Sequence, residues 1–316
     1  MSILNELDIR QALEKLAPPP QAAYVKTPDQ VEAEVIAAFH DESFGMQGYP
    51  IHFDGFDKTI RFRKGEVTIW TGENHTGKSE ILNQFIMSQT AVEKAFIMSP
   101  EMPVYRTMQY MTQQITRSEK PTVDQIKNFL RMMTGKIYLL DQQSTFNPED
   151  VLKLIQYVHG EYGVFHIVID SLMKCGINEN DDHAKVKWFV DQLCVIAKSL
   201  ELHIHLVAHA KKPEKGGRPS RYNIKGTGST PDLVDNVVIM WRNEDKEREL
   251  DEGGLTDERY TELMEMPDAR MIVDKQRHGS SWKGSIALWH DAPSRSFMVS
   301  RSEFANNKLR AVGVNK

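Results

Sequence analysis

The sequence has few cysteines, no long apolar run and no excess of basic residues. Only Cys175 and Cys194 are cysteines among 316 residues, and they do not have the spacing of a metal-binding or redox motif. No run approaches the roughly 18 uncharged apolar residues of a membrane-spanning helix. The first eight residues are acidic and lack the basic start and apolar core of a signal peptide. We therefore expect a protein of the reducing cytoplasm, without membrane contact, structural zinc or disulfides.

The balance of charges limits the kinds of partner that the whole surface can bind. The chain has 39 basic and 44 acidic residues, which give a net charge of −5. This argues against a protein that coats nucleic acid over its entire surface, but it allows local binding through a few basic loops. The composition, 40% hydrophobic and 26% charged, is ordinary for a globular protein.

A glycine-rich segment at 72–79 is the most informative feature of the sequence. It follows a β-branched strand predicted at 67–70 and precedes a helical pattern, which is the context of a phosphate-binding loop. Two glycines allow successive N–H groups to point at phosphate oxygens, and the helix adds its positive N-terminal end. The lysine supplies charge for the β- and γ-phosphates, and the serine hydroxyl can coordinate Mg²⁺. We predict that ATP, or another NTP or dNTP, binds here with Mg²⁺, on Gly72, Glu73, Asn74, His75, Thr76, Gly77, Lys78 and Ser79.

Strands and helices alternate along most of the chain, which predicts an α/β core domain over 51–303 with a largely parallel sheet, followed by a tail at 304–316. The strands are nearly continuous apolar runs, as expected for strands covered on both faces. The predicted strands are 67–70, 95–98, 137–140, 164–169, 203–207, 237–240 and 271–273. The predicted helices are 79–92, 103–117, 122–133, 148–160 and 183–200.

Residues 1–50 are predicted to form an N-terminal helical extension and linker. Apolar residues recur at helical spacing over 1–16, and three prolines follow at 18–20. Thr27 and Pro28 then read as the N-cap and first residue of a helix that continues to about Phe39. This extension either docks on a neighbouring subunit or packs within a single domain.

Two predicted strands are followed by acids that suit phosphate chemistry. Asp170 follows the strand at 164–169, where a carboxylate beside the phosphate loop can hold Mg²⁺; alternatively it caps the next turn. Glu101 follows the strand at 95–98 and is the candidate to orient or deprotonate an attacking water. The alternative for Glu101 is a glutamate in the first turn of the next helix, stabilised by the helix dipole.

Three histidines belong to the strand at 203–207 or follow it. His209 lies just past the strand end, where a polar side chain could sense the γ-phosphate and pass that state to the next loop. His203 and His205 alternate within the strand, so we predict that they are satisfied sheet residues. A His-x-His pair is not a metal site without further ligands.

Residues 211–221 are the most basic stretch, with five bases and one acid. Lysines together with glycines that permit close backbone approach suit the phosphates of a polyanion, although a solvated flexible loop is the alternative. Lys275 and Arg277 lie two apart at a strand end and project the same way, so they either reach a neighbouring subunit's γ-phosphate or form surface salt bridges. Residues 244–270, with eleven acids and four bases, are predicted to be a solvated excursion between two strands.

Taken together, and in this order, these stretches resemble the RecA-like core of the DnaB-family (superfamily 4) replicative DNA helicases. That family includes the helicase halves of phage primase-helicases and the mitochondrial helicase Twinkle, and the chain resembles this branch without its primase part; residues 208–213 resemble the phage proteins in particular. The resemblance spans about 60–300. The segments that carry it are 63–66, 72–79, 99–102, 169–171, 208–213, 224–229 and 275–279.

The resemblance implies roles for particular residues. Glu101 would be catalytic, His209 would be the phosphate sensor, and either Trp289 or His290 would lie near the position that stacks on the base. The implied catalytic set is Lys78, Glu101, Asp170, His209, Lys275 and Arg277, with Ser79 and Asp170 on the metal. The implied contacts to single-stranded DNA are Lys211, Lys212, Lys215, Arg218, Arg221, Lys225, Gly226 and Gly228.

The resemblance also implies a six-membered ring that moves 5′ to 3′ on single-stranded DNA, driven by NTP hydrolysis. About 50 residues before the core are too few for a primase, so we expect a separate primase and other replisome proteins as partners, in a bacterial cytoplasm or that of a phage's host. Two alternatives stay open. The chain could be a recombinase-like or helicase-loader ATPase, or a nucleotide-switched regulatory binding module.

Overall fold

A computed structural model describes residues 25–41, 46–177, 183–210, 220–224, 230–278 and 281–300. The described residues fall into two units that divide after Met46. The helix predicted at 1–16, the tail at 304–316, the lysine segment at 211–219 and the glycine-serine segment at 225–229 lie outside the described residues. Within the described part of the chain, no helix combines the length and the apolar character that crossing a bilayer would require.

The first unit contains the helix predicted from Thr27 onward. A 3₁₀ turn at Pro28–Val31 leads into helix α1, Glu32–His40, which buries none of its residues. Proline suits this first turn because its fixed φ matches the turn and its missing N–H would have no partner there. The apolar side chains of Val35, Ile36 and Phe39 are exposed.

The second unit is built on one large sheet. Its described strands are β1 Tyr49–Pro50, β2 Arg61–Phe62, β3 Glu66–Gly72, β4 Ala95–Met98, β5 Ile137–Leu139, β6 His166–Ile169, β7 His203–His209, β8 Asn236–Arg242, β9 Ala269–Gln276, β10 Gly284–Asp291 and β11 Ser296–Met298. Strands β3 to β11 form the sheet in the order β11-β10-β9-β8-β3-β7-β6-β4-β5. Neighbours from β5 to β8 are parallel, whereas β9, β10 and β11 are antiparallel. The prediction of a mostly parallel sheet is confirmed, and the β10–β11 hairpin is an addition that the sequence did not reveal.

Helices cover both faces of this sheet. The described ones are α2 Lys78–Gln89, α3 Val104–Thr116, α4 Val123–Met133, α5 Pro148–Tyr162, α6 His183–Ser199, α7 Thr230–Leu233, α8 Glu244–Glu252 and α9 Asp257–Glu265. Successive side chains of the buried central strand β3 point to opposite faces. Ile69 therefore packs with α5 and α6, while Trp70 packs with α2, α3 and α4. The parallel strands fix the loops at their carboxyl ends, where the site is found.

The acidic segment after β8 forms helices α8 and α9 and lies between two strands, as predicted. Both helices begin with a side-chain cap: Asn243 accepts from the N–H of Lys246 at 3.2 Å, and Thr256 accepts from that of Arg259 at 3.2 Å. An ion pair of 2.9 Å between Arg259 and Glu249 joins the two helices. Capping and pairing explain how so acidic a segment becomes helical.

A row of buried histidines crosses the middle of the sheet. His166 Nδ1 lies 3.2 Å from His205 Nε2, Trp70 donates to His205 Nδ1 at 3.2 Å, and Thr68 Oγ1 lies 2.9 Å from His203 Nε2. Burial lowers the pKa of all three histidines, that of His203 to about 3. Both ring nitrogens of His203 and of His205 have hydrogen-bond partners, as predicted for satisfied sheet residues, whereas Nε2 of His166 has none among the described residues. The described residues contain no group of three potential metal-binding side chains.

Candidate nucleotide-binding cleft

Glycines are required at two positions of the loop between β3 and α2. Gly72 has a φ of 147°, and a Cβ there would lie 2.3 Å from the carbonyl oxygen of Met240. Gly77 has a φ of 86°, and a Cβ there would lie 2.4 Å from the ring of Phe297. Any other residue would clash in this strained conformation, so the predicted glycines hold the loop open for phosphate oxygens.

The lysine of the loop is folded back over the loop itself. Lys78 Nζ donates to the carbonyl oxygens of Gly72, at 3.1 Å, and Glu73, at 2.6 Å. Its side chain is buried, and burial lowers its pKa, although Asp170 and Glu101 nearby oppose this shift. The charged group is therefore held where phosphate oxygens would accept its hydrogen bonds.

Ser79 and Asp170 meet at the edge of the sheet where metal-bound phosphate would sit. The Ser79 hydroxyl donates to Asp170 Oδ2 at 2.5 Å. Burial raises the pKa of Asp170, with the hydrogen bond from Ser79 opposing the shift. Two hard oxygen donors on facing elements fit Mg²⁺, which takes one or two protein oxygens and completes its shell with phosphate and water. Ser171, not Asp170, occupies the N-cap of the following 3₁₀ turn.

Glu101 faces the same edge from the end of β4. The Ser171 hydroxyl donates to Glu101 Oε1 at 2.8 Å, and His209 Nε2 lies 4.0 Å from the same oxygen. The pKa of Glu101 is lowered to about 2, chiefly by the interaction with His209 and also by the hydrogen bond from Ser171, whereas burial alone would raise it. Helix α3 begins at Val104 after Pro103 and has no acid in its first turn, so Glu101 does not serve as a first-turn glutamate.

The loop and these acids line one cleft of about 650 Å³. The sheet order gives the cleft two ends. Glu101 and Asp170 follow β4 and β6, and His209 ends β7, all on one side of β3, whereas Arg242 and His290 belong to β8 and β10 on the other side. We name these the phosphate end and the nucleoside end.

The nucleoside end contains residues that the sequence did not single out. Arg295 Nη1 donates to Glu80 Oε1 at 2.7 Å, and its guanidinium lies 3.9 Å from the centre of the Tyr110 ring. His290 Nε2 lies 3.3 Å from Glu80 Oε2. Burial would raise the pKa of Glu80, but His290 and Arg295 lower it overall. Of the two predicted base-stacking candidates, His290 lines the cleft, and Trp289 is not among the described lining residues.

Lys275 and Arg277 lie away from this cleft. Lys275 Nζ donates to the carbonyl oxygens of Pro231, at 2.8 Å, and Val234, at 2.7 Å, and Arg277 Nη1 donates to Asp235 Oδ1 at 3.1 Å. In the antiparallel pair β8–β9, Gln276 lies opposite Asn236 and Ala269 lies opposite Arg242. Lys275 and Arg277 therefore lie beside the start of β8, whereas Arg242 at its end lines the cleft. Six residue steps of about 3.3 Å each put Lys275 and Arg277 about 20 Å from the cleft edge.

Of the predicted DNA contacts, Arg221 is the one within the described residues. Its backbone N–H donates to Asp274 Oδ2 at 3.3 Å, and its Nε lies 3.8 Å from the same oxygen. The role assigned to Lys211, Lys212, Lys215, Arg218, Lys225, Gly226 and Gly228 stays a prediction.

A phosphate loop that ends a central parallel strand, with acids after other parallel strands of the same sheet, is the arrangement of a RecA-like nucleotide-binding fold. Residues 61–215 match the AAA domain family. The chain is 23% identical over 218 residues to a DNA helicase/primase of Enterobacteria phage T3, covering 61% of this chain and 38% of that protein. It is 24% identical over 235 residues to the Twinkle homolog protein, chloroplastic/mitochondrial, of Arabidopsis thaliana, covering 67% and 33%.

Solved structures agree on the fold. A solved ATPase domain matches with a TM-score of 0.69 at 12% identity, over 87% of this chain and 99% of that one. A DnaB-like replicative helicase, solved with its interactions with primase, matches with a TM-score of 0.67 at 13% identity, over 92% and 74%. These comparisons confirm the resemblance to DnaB-family helicases with a RecA-like core. The chain spans about a third of the length of these curated relatives, 38% of one and 33% of the other.

Proposed function

We propose that this protein is a ring-forming, NTP-driven DNA helicase that translocates on single-stranded DNA. The observation that carries the proposal is the convergence of Lys78, Ser79, Asp170 and Glu101 on one cleft at the carboxyl ends of parallel strands. The matched relatives include a helicase/primase and a Twinkle homolog, which supports a helicase rather than another use of the same fold.

Within one subunit, the residues that line the cleft would each have a separate role in hydrolysis. The loop N–H groups and Lys78 would bind the phosphates, and Ser79 and Asp170 would hold Mg²⁺, which neutralises charge on the phosphate oxygens when bound. Glu101, kept ionised at neutral pH, would accept a hydrogen bond from the attacking water and orient it in line. His209, beside Glu101, would link the phosphate state to the lysine segment that follows it.

The position of Lys275 and Arg277 supports a site shared between subunits. Because both lie about 20 Å from their own cleft edge, they would reach a γ-phosphate only in a neighbouring chain. An arginine supplied by a neighbour stabilises charge on the transferred phosphoryl group and is worth about 10³–10⁵ in rate. A head-to-tail contact that closes gives a ring, and we propose six subunits by resemblance.

The proposed partners are single-stranded DNA, a neighbouring subunit and other replication proteins of the cytoplasm. Single-stranded DNA would thread the ring in the 5′-to-3′ sense, contacting the lysine segment. The N-terminal extension, 1–50, would dock on a neighbouring subunit, since α1 leaves Val35, Ile36 and Phe39 exposed. A separate primase and other replisome proteins would complete the assembly in the cytoplasm.

The test is steady-state ATP hydrolysis with and without single-stranded DNA, for wild type and for Lys78→Ala mixed with Arg277→Ala. Each variant alone should be inactive. In a 1:1 mixture, about a quarter of the interfaces combine an intact Lys78 with an intact Arg277, so turnover should return to about that fraction of wild type. Arg248→Ala is the matched control, because that arginine is exposed and pairs with Asp245, and it should be fully active alone.

Two results would contradict the proposal. If DNA leaves wild-type turnover unchanged and mixing restores none, the site is complete within one chain and a loader or nucleotide-switched module takes the place of the helicase. If the Arg277→Ala variant is active alone, Arg277 does not act between subunits.

A further inference from the structure

The nucleoside end of the cleft is bordered by the acidic helix α8. If phosphates bind along the loop with the γ-phosphate facing Glu101 and Asp170, the base must extend to the other side of β3. That side is formed by Arg242, His290 and, in an adjoining pocket, Glu247 of α8. A base in the cleft would therefore lie against a segment that the phosphate chemistry does not use.

Helix α8 is fixed to this place by a buried ion pair. The side chain of Lys246 is 3% exposed and lies 2.6 Å from Asp268 Oδ1, and it also donates to the carbonyl oxygen of Met266 at 2.6 Å. Asp268 Oδ2 in turn accepts the backbone N–H of His290 at 2.8 Å. Glu247, the next residue after Lys246, is thus held near the strand that carries His290.

Three carboxylates surround the nucleoside end, and one of them has an oxygen that can accept a further hydrogen bond. Both oxygens of Glu80 are engaged, because Arg295 Nη1 lies 2.7 Å from Oε1 and His290 Nε2 lies 3.3 Å from Oε2. Both oxygens of Asp268 are engaged as described above. Glu247 Oε1 accepts from Arg242 Nε, which leaves Oε2 as an acceptor. The guanidinium of Arg242 is itself held in place, because Nη1 donates to the carbonyl oxygen of His75 at 2.9 Å.

We infer that Glu247 selects nucleotides whose base carries an amino group at C6 of a purine or at C4 of a pyrimidine. An ionised carboxylate only accepts hydrogen bonds, so it pairs with the amino group at C6 of adenine or C4 of cytosine. Guanine and uracil or thymine present a carbonyl oxygen there, and two acceptors would face each other. This inference rests on the proposed nucleotide site and names its substrate class: ATP, dATP and CTP over GTP, UTP and dTTP.

The sharpest probe is inosine triphosphate, in which the C6 amino group of ATP is replaced by a carbonyl. Hydrolysis of ATP, inosine triphosphate, CTP and UTP would be measured with single-stranded DNA present. A hydrogen bond to a charged group is worth about tenfold or more in affinity, so KM should be at least about tenfold higher for inosine triphosphate than for ATP. The kcat values should be similar, because the contact is the same in ground and transition states.

Glu247→Gln provides the matched variant, since its amide both donates and accepts. The ratio of the two KM values should approach one, through weaker ATP binding and stronger inosine triphosphate binding. Glu262→Gln, an exposed acid of α9 that pairs with Arg259, should keep the wild-type ratio. Competition against a fluorescent ATP analogue gives the same comparison without turnover.

The outcomes separate the two proposals. Equal KM values for ATP and inosine triphosphate in wild type, or an unchanged ratio in Glu247→Gln, would overturn the role of Glu247 and leave the hydrolase intact. If none of the four nucleotides binds or is hydrolysed, the proposed function itself fails.

Discussion

The row of buried histidines makes acid stability a quantitative test of the sheet interior. His166, His203 and His205 are fully buried, and burial lowers the pKa of each below its ordinary value of 6.5. The folded state therefore binds fewer protons than the unfolded state once the pH falls below about 7. Above the unfolded pKa, neither state is protonated at these histidines, and they do not lower the free energy of unfolding. As pH falls through the unfolded pKa, the unfolded state takes up protons that the folded state does not, so the free energy of unfolding decreases.

The size of the loss follows from the linkage relation. At pH 5, a histidine that stays neutral when folded and titrates normally when unfolded costs about 2 kcal/mol, so three cost about 6 kcal/mol. Domains are stable by about 5–15 kcal/mol, so this loss is a large share of the total. Glu66 and Asp170, whose pKa values burial raises, act in the opposite direction as pH falls.

Comparison of wild type with His203→Gln isolates the contribution of one buried histidine to the pH dependence of stability. His203→Gln keeps a side chain that can bond to Thr68 and to the carbonyl oxygen of Arg63, and it leaves every carboxylate in place. Urea unfolding between pH 7 and 5 should show that the variant loses about 2 kcal/mol less stability than wild type over this range, a mean slope lower by about 1 kcal/mol per pH unit. His40→Gln, an exposed position on α1, should keep the wild-type slope. Equal slopes for wild type and His203→Gln would refute the reasoning.

Three further predictions test the cleft and its supports. Glu101→Gln should lower kcat by about 10²-fold or more with nucleotide affinity retained, because only water positioning is lost; a matching loss of affinity in a binding titration would contradict this. Gly77→Ala should abolish nucleotide binding through the clash with Phe297, whereas Gly163→Ala, also at positive φ but with open space around its Cβ, should bind normally in the same titration. Gln84→Ala should lower the free energy of unfolding by about 1–3 kcal/mol, measured with urea, since the Gln84 amide pairs with both backbone groups of Phe297.

The phosphate end of the site could be predicted from the sequence because its signals are local. The glycine spacing of 72–79 has a single backbone explanation, and Asp170 and Glu101 each follow an apolar strand. Parallel strands end at the same edge, so an acid after each one must approach the loop. The geometry of Ser79 and Asp170 shows this arrangement directly.

The nucleoside end could not be predicted in the same way. Glu80 reads as an ordinary first-turn glutamate, and its partner Arg295 is 215 residues away in sequence. The alternation of Ile286 and Leu288, followed by Pro293 and Ser294, is the signal that could have revealed the β10–β11 hairpin. The sequence indicated that His290 was near the base only through resemblance.

This difference follows from how the sheet is built, and it has a functional consequence. The phosphate end uses β4, β6 and β7, whose order and register are fixed by burial on both faces. The nucleoside end uses β8 and β10 on the antiparallel side of the sheet, where helices α8 and α9 are inserted between β8 and β9. Changes in that insertion can alter contacts with the base while leaving Lys78 and Glu101 untouched. Nucleotide preference and hydrolysis are thus separable in this fold. A mutation of Glu247 should change the preference for a base without abolishing hydrolysis.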